Sequence, residues 1–298
     1  LKTKDIYQIW EEIQQCFLIL KDWFENHELY HKIGYLIASE SQTLRDLYIN
    51  SLDKTKSAFR ALLDSLISAS INFGGYSDLN YESATDYPKI MKILLLFNVI
   101  SVMKNGEQTQ WFPFDKFKFD KDSRTGWSLE HIHAQQSQGL KTQNDWFEWL
   151  KIQLPSLNAV AGDEHQELIN EVKEALEMAT IERKVFESIQ ARVIFVLSDG
   201  KSEYLHTLAN LALLNTSDNA ALNNSTFDVK RNAIIDLDKK GRFIPFCTKM
   251  VFLKYYTQSD QNQLHFWGEP DRKAYIEAMN TVLKEYLVEK IEIGAQEK

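Results

Sequence analysis

The stretch GWSLEHIHAQQSQ, residues 126–138, brings a glutamate and two histidines together within four positions. The alternation of apolar and polar residues in WSLEHIHAQ predicts a short β-strand. Neighbouring residues of a strand point to opposite faces, so His131 and His133 are expected on one face and Glu130 on the other. Either imidazole is a candidate for proton transfer, and a surface strand that merely carries histidines is the alternative.

A second stretch, HTLANLALLNTSDN, residues 206–219, contains an apolar run that predicts another strand and closes on turn-forming residues. A helix is expected to begin near Asn219, nine residues after Asn210. Asn210 in turn follows His131 by 79 residues. Together the two stretches predict the order strand, strand, helix, with polar side chains on each element.

This order, with His on the first strand, Asn on the second and Asn entering the helix, resembles the HNH (ββα-metal) nuclease motif. The nine-residue interval is the usual one in that motif. Hydrolysis of a phosphodiester needs a water deprotonated near neutral pH, for which histidine is the usual base. It also needs a divalent cation to neutralise the charge that develops on the scissile phosphate. Carboxylate and amide oxygens suit Mg²⁺ or Mn²⁺.

The resemblance implies a role for each polar residue of the motif. His131 is the expected base, and Glu130 and Asn219 are the expected metal ligands, with Asn223 as a further ligand or a partner of one. Asn210 is expected to tie the segment between the strands and to orient His131 through hydrogen bonds.

The Glu130–His131 doublet raises a geometric difficulty. Both side chains reach one metal site only if the strand bends there, because successive residues of a regular strand diverge. The HNH family accepts such a doublet, so we assign His131 as the base. His133 is the alternative.

The similarity extends beyond the motif. The segments EHIHAQ, HTLANLALLN, LNNSTFDVKR and FIPFCTKMVFLKYY resemble the C-terminal nuclease domain of GmrSD-type modification-dependent restriction endonucleases. Ala134 and Ala209 depart from the family, which usually has Pro and Gly at these positions. The resemblance implies the effector of a bacterial restriction system that defends against phage and cuts DNA, modified or not. The residues expected to contact DNA phosphates are His206, Lys230 and Arg231.

The family also carries an N-terminal ParB-like nucleotidase domain with an Asp-Gly-Gln-Gln-Arg type motif. The chain has no such motif and its first residue is Leu1 rather than Met. We therefore expect a fragment that lacks the nucleotidase domain, which would be a partner within the same protein. Nucleotide dependence and recognition of modified bases would reside largely in that domain.

A rival motif lies in NHELYHKIGYL, where His27, Glu28 and His31 follow the pattern H-E-x-x-H of zinc proteases. No third ligand follows at a convincing position. The apolar residues Tyr30, Ile33 and Leu36 recur at helical spacing, which indicates packing. We therefore favour a structural role for both histidines over a zinc site.

Composition narrows the class of protein. A net charge of −8 argues against a generally basic nucleic-acid binder, yet residues 226–250 hold six Lys/Arg against three acidic residues, a local balance of +3. The acidic net charge of the whole chain leaves a second hypothesis open, a catalytically inactive DNA-binding or regulatory module on the same scaffold.

Two cysteines give no disulfide framework, and no apolar run is long enough to span a bilayer. We therefore expect a cytoplasmic bacterial protein with no membrane partner.

The pattern of apolar residues predicts the organisation of the chain. Residues 4–104 read as helices, and residues 1–107 are expected to form a helical segment that ends the N-terminal domain or links it onward. Residues 108–298 are expected to form the nuclease domain, with a helical insertion at about 141–200 that includes one long helix over 163–190. TQWFPFDKFKFD, residues 109–120, reads as strand-like. The predicted fold class is mainly α with a small embedded β-hairpin: a helical bundle plus an HNH nuclease core.

Overall fold

The computed structural model describes backbone and side chains at residues 5–76, 79–106, 109–117, 126–133, 140, 142–159, 165–197, 204–218, 222, 226–258 and 267–287, and the backbone alone at 160 and 219–221. Within these residues it holds twelve α-helices and one two-stranded antiparallel sheet. This confirms the predicted fold class, mainly α with a small β element.

The chain divides into two compact units that are interleaved along the sequence. The first comprises Leu1–Gly74, Leu95–Lys118 and Val282–Lys298, and the second comprises Gly75–Leu94 and Phe119–Thr281. These units are defined by packing alone, so they do not test a contiguous domain boundary between residues 107 and 108. That boundary and the extent of the insertion stay predictions.

The first unit begins with four helices, as the sequence predicts. They are α1 (Ile6–Glu25), α2 (His27–Ala38), α3 (Leu44–Leu52) and α4 (Lys56–Ile71). A short polar side chain accepts a backbone N–H at each N-terminus, which supplies one of the bonds that helix ends lack. The capping residues are Asp5, Asn26, Thr43 and Thr55.

Helix α5 (Tyr87–Lys104) begins in the second unit and ends in the first. Its residues from Ile93 to Phe97 are all essentially inaccessible to solvent. Because five consecutive residues cover the whole circumference of a helix, α5 is buried on every side. No helix in the described part of the chain is long and apolar enough to cross a membrane.

The aromatic stretch at 109–120 was predicted to be strand-like, and this prediction is wrong for its described part, residues 109–117, which contains no strand. Pro113 lacks a backbone N–H and interrupts any ladder. The chain instead turns, with Phe114 N–H bonded to Phe112 O at 2.9 Å and Phe117 N–H bonded to Phe114 O at 3.0 Å.

The second unit holds the sheet. Strand β1 (Trp127–His131) pairs antiparallel with β2 (Leu211–Asn215), with Trp127 opposite Asn215 and His131 opposite Leu211. A 3₁₀ turn, Leu208–Asn210, leads into β2, and helix α9 (Thr216–Leu222) follows it directly. Because α9 packs against both strands, the predicted order of strand, strand and helix is present in space as well as in sequence.

Three helices separate the strands along the chain: α6 (Gln143–Val160), α7 (Gln166–Glu177) and α8 (Arg183–Leu197). They share a hydrophobic core that includes Trp146, Leu150, Val172 and Val193. The prediction of one long helix over 163–190 is wrong, because the chain turns between α7 and α8. The side chain of Gln143 accepts from Ile181 N–H at 2.9 Å and donates to Ile181 O at 2.7 Å, which holds the turn and lets α8 pack back.

The remaining helices are α10 (Phe227–Lys239), α11 (Phe246–Phe252) and α12 (Glu269–Leu283). Side chains of α11 and α12 satisfy carbonyls of β2: Thr248 donates to Leu213 O at 2.6 Å and Tyr275 donates to Leu211 O at 3.1 Å. A two-stranded sheet is marginal alone, so these contacts and the burial of β2 stabilise the strand pair.

Candidate active site

Asn210 joins the end of β1 to the start of β2. Its side-chain oxygen accepts from His133 N–H at 2.9 Å, and its amide nitrogen donates to His133 O at 2.8 Å and to Leu205 O at 2.9 Å. Its backbone carbonyl accepts from Ile132 N–H at 2.8 Å. Asn210 therefore links the two segments through hydrogen bonds, as predicted. Its side chain bonds to the backbone of His133 and not to that of His131.

Glu130 lies in β1 opposite Ala212 and is only 6% exposed. Its carboxylate pairs with the ammonium of Lys230 on α10. Burial raises the pKa of Glu130 and lowers the pKa of Lys230, while the attraction between the two charges opposes both shifts. The predicted metal ligand is thus a buried carboxylate whose described partner is an internal cation.

The imidazole of His131 is half-buried at the end of β1. Its ring lies against Tyr81, edge to face at 4.5 Å between centroids, and against His206 at 5.5 Å. Burial, and then the positive charges of Lys230 and His206, lower the pKa of His131 to about 4. The ring is therefore uncharged at neutral pH, the form in which it can take a proton, and its Nε2 has no hydrogen-bond partner among the described residues.

His133, the alternative base, lies elsewhere. Its side chain is fully buried, and its Nδ1 accepts from Phe227 N–H at 3.3 Å, at the first turn of α10. Burial lowers the pKa of His133 to about 3. His133 therefore serves the start of a helix, whereas His131 contacts the aromatic side chains of Tyr81 and His206.

The other predicted metal ligands are Asn219 and Asn223. Asn219 lies in α9, the helix that packs against both strands, and its side chain is not described. Asn223 and Ala134 lie outside the described residues. Asn210 bonds to the backbone of Ile132 and His133, directly after Glu130 and His131, and the helix of Asn219 packs against both strands.

The residues predicted to contact DNA have different surroundings. The Nε2 of His206 is 3.6 Å from the Glu82 carboxylate, and its ring faces His131. Arg231 is partly buried on α10, and its Nε has no hydrogen-bond partner in the described part of the chain. Lys230 is 1% exposed and already paired, so in this conformation it does not present its charge to a phosphate. The DNA contacts themselves stay predictions.

Tyr81 was missed by sequence reasoning. It follows a short bridge between Asn80 and Thr207, and its own N–H donates to His206 O at 2.8 Å. This backbone contact places the ring of Tyr81 against the ring of His131. The segment LNYES reads as an ordinary break between helices, and no local signal marks the tyrosine.

The rival H-E-x-x-H motif, in the first unit, is structural. The Nδ1 of His31 bonds to His27 O at 2.7 Å and its Nε2 accepts from Phe112 N–H at 3.0 Å, so both ring nitrogens are engaged. Glu28 pairs with Lys32 and Arg60. The described residues contain no group of three or more His, Cys, Asp or Glu placed to hold a metal ion. The zinc-protease alternative thus has no support here.

Comparison with known proteins adds one match. Residues 197–271, about a quarter of the chain, match the family model for GmrSD restriction endonucleases, C-terminal domain. No curated protein and no solved structure matches the chain. The matched segment includes Asn210, β2, α9 and α10, but not β1 with Glu130 and His131. The resemblance inferred from the sequence is therefore confirmed for residues 197–271, which match the C-terminal domain of GmrSD restriction endonucleases.

Proposed function

We propose that the protein is a metal-dependent HNH endonuclease or nickase that hydrolyses DNA phosphodiester bonds. The observation that carries the proposal is that the strand of the Glu130–His131 doublet pairs with the strand that follows Asn210, across 79 residues of sequence, and that the helix of Asn219 packs against both strands. The match of residues 197–271 to a restriction-endonuclease domain supports the same activity.

In this proposal His131 acts as the general base. Its imidazole is uncharged at neutral pH because burial and neighbouring positive charges lower its pKa to about 4. One nitrogen of the uncharged ring can accept the proton of an attacking water, and the lowered pKa makes it a weaker base than an ordinary imidazole. Asn210 keeps the segment after β1 in place by holding the backbone of His133.

Glu130, Asn219 and Asn223 would hold a divalent cation, Mg²⁺ or Mn²⁺. The donor chemistry fits, because the carboxylate of Glu130 is a hard oxygen ligand beside His131. Its partner in the structure is Lys230, which already balances its charge. When bound, the cation would supply stabilisation of negative charge on the phosphate and the leaving oxygen.

DNA is the proposed substrate. His206, whose ring contacts that of His131, and Arg231, in the segment 226–250 with its local balance of +3, are proposed to contact backbone phosphates. We further propose that the protein works in the bacterial cytoplasm as the effector part of a restriction system against phage, together with an N-terminal nucleotidase domain.

The test of this function is cleavage of supercoiled plasmid by the purified chain. The reaction is run with Mg²⁺, with Mn²⁺ and with EDTA, and products are separated on agarose gels. Conversion to nicked or linear plasmid in the presence of metal, and none in EDTA, is expected. DNA left intact with both metals, at protein concentrations that bind it, would remove the proposal.

A second candidate is a DNA-binding or regulatory module that keeps the scaffold without cutting. The pairing of Glu130 with Lys230 favours it, because a neutralised carboxylate attracts a divalent cation less strongly than a free one. Binding of DNA without cleavage in the same plasmid assay would identify this module.

A further inference from the structure

Lys230 lies where a DNA-contacting lysine would not be expected. It is on the first turn of α10 and is 1% exposed. Lys239, at the other end of the same helix, has a side chain that is 73% exposed. Burying an ammonium is costly unless it is paired and hydrogen-bonded, so the contacts of Lys230 indicate its role.

The ammonium of Lys230 bridges two consecutive residues of β1. It pairs with the carboxylate of Glu130 and donates to the backbone carbonyl of His131 at 2.7 Å. These partners are 100 and 99 residues earlier in the sequence, so the contact ties α10 to the end of the strand.

This bridge bears on the geometry of the doublet. Successive side chains of a strand diverge, so a carboxylate that works beside the next residue needs something to hold it there. The ammonium of Lys230 is placed to do this, because it bonds to the Glu130 carboxylate and to the His131 carbonyl at the same time.

We propose that Lys230 is a positioning residue that fixes the carboxylate of Glu130 against the backbone of His131, and that it does not bind a DNA phosphate. The proposal rests on the proposed nuclease function, which it deepens by assigning to Lys230 a role other than DNA contact. The carboxylate of Glu130 and the imidazole of His131 would then keep a fixed arrangement, because Lys230 on α10 holds the end of β1.

The first experiment compares Lys230→Met with wild type and with Lys239→Met as a matched control, under steady-state nicking conditions. Changing a residue that orients catalytic groups typically costs ~10–100-fold in activity, so kcat should fall by that factor while KM stays within about twofold. Lys239→Met should change neither constant. An unchanged kcat in folded Lys230→Met would overturn the proposal.

The second experiment measures DNA binding in EDTA as a function of salt, so it does not depend on cleavage. Each phosphate contact adds about 0.9 to the slope of log affinity against log salt for duplex DNA. Positioning predicts the wild-type slope for Lys230→Met. A slope reduced by about one contact, with weaker binding and unchanged kcat, would make Lys230 a phosphate ligand instead.

Two further measurements keep the proposal testable if Lys230→Met does not fold or if the wild type does not cut DNA. The double variant Glu130→Gln/Lys230→Met removes both buried charges together and serves for the salt series. Amide hydrogen exchange at Ile132 and His133 reports on the end of β1 without any activity. Faster exchange at these two amides in the double variant is expected, and unchanged exchange there would contradict positioning even in a protein that is not a nuclease.

Discussion

The side-chain amide of Asn210 holds both backbone polar groups of His133, at 2.9 Å to the N–H and 2.8 Å to the carbonyl. Asn210 is fully buried, so no water can replace these bonds. An amide side chain offers an acceptor and two donors, and three of these sites are used here, the third by Leu205 O. An asparagine is well suited to this position because it pairs with a peptide group much as another peptide would.

Replacing Asn210 with alanine should destabilise the protein strongly. Three buried backbone groups would lose their partners, at about 1 kcal/mol or more each, so we expect the free energy of unfolding to fall by about 3 kcal/mol. Urea denaturation followed by circular dichroism measures this. Asn50→Ala, which removes an exposed bond to Asp46 O, is the control and should cost below about 0.5 kcal/mol. Equal stabilities of the two variants would refute the buried role of Asn210.

Gly34 in α2 marks a close approach within the first unit. A Cβ built there would lie 2.2 Å from the ring of Phe114, far inside contact distance. Gly34→Ala should therefore force the ring to move and cost about 1–3 kcal/mol in unfolding free energy, in spite of alanine's better helix propensity. At Gly126 the nearest atom is 4.0 Å from such a Cβ, so Gly126→Ala should have little effect on the thermal midpoint. A stable Gly34→Ala protein would show that the aromatic turn packs elsewhere.

His31 should make the protein sensitive to acid. Burial lowers the pKa of His31 from 6.5 to about 4, so between these values the unfolded chain binds a proton that the folded chain does not. Stability is therefore present above pH 6.5 and is lost as the pH falls toward 4, by about 3 kcal/mol from this residue. Urea midpoints at pH 7 and pH 4.5 measure the loss.

The matched variant for that measurement is His31→Gln, which keeps a hydrogen-bonding side chain but cannot titrate. It should be less stable than wild type at pH 7 and should lose less stability on going to pH 4.5. The lowered pKa values of His131 and His133 affect both proteins equally. An identical loss in the two proteins would mean that His31 is protonated in the folded state.

Local sequence patterns predicted the elements of this fold better than its junctions. The strand at Trp127–His131 follows from alternation, and the helices of the first unit follow from their apolar spacing. The turn between α7 and α8 did not, because it depends on Gln143, which contacts Ile181 across 38 residues. The strand predicted at 109–120 failed in its described part, 109–117, because aromatic alternation there serves packing around a proline turn.

The candidate site shows the same division. The apolar run after Asn210 predicted β2, but Asn210 itself lies in the 3₁₀ turn before the strand, and α9 begins at Thr216 rather than near Asn219. Burial is set by tertiary contacts, so the sequence did not reveal that Lys230 lies inside the protein on Glu130. Tyr81 reaches His131 only through a contact with His206, and no spacing in the sequence encodes that neighbour.

The decisive measurement is plasmid cleavage by His131→Ala beside His133→Asn, with thermal melts to confirm that both fold. General acid–base catalysis contributes about 10²–10⁴-fold, so His131→Ala should lose at least about 100-fold in cleavage rate, and the melts show whether the protein still folds without the ring contacts to Tyr81 and His206. His133→Asn retains an acceptor for Phe227 N–H and should keep most of the activity. Undiminished cutting by folded His131→Ala, or loss of cutting confined to folded His133→Asn, would contradict the assignment of His131 as the base.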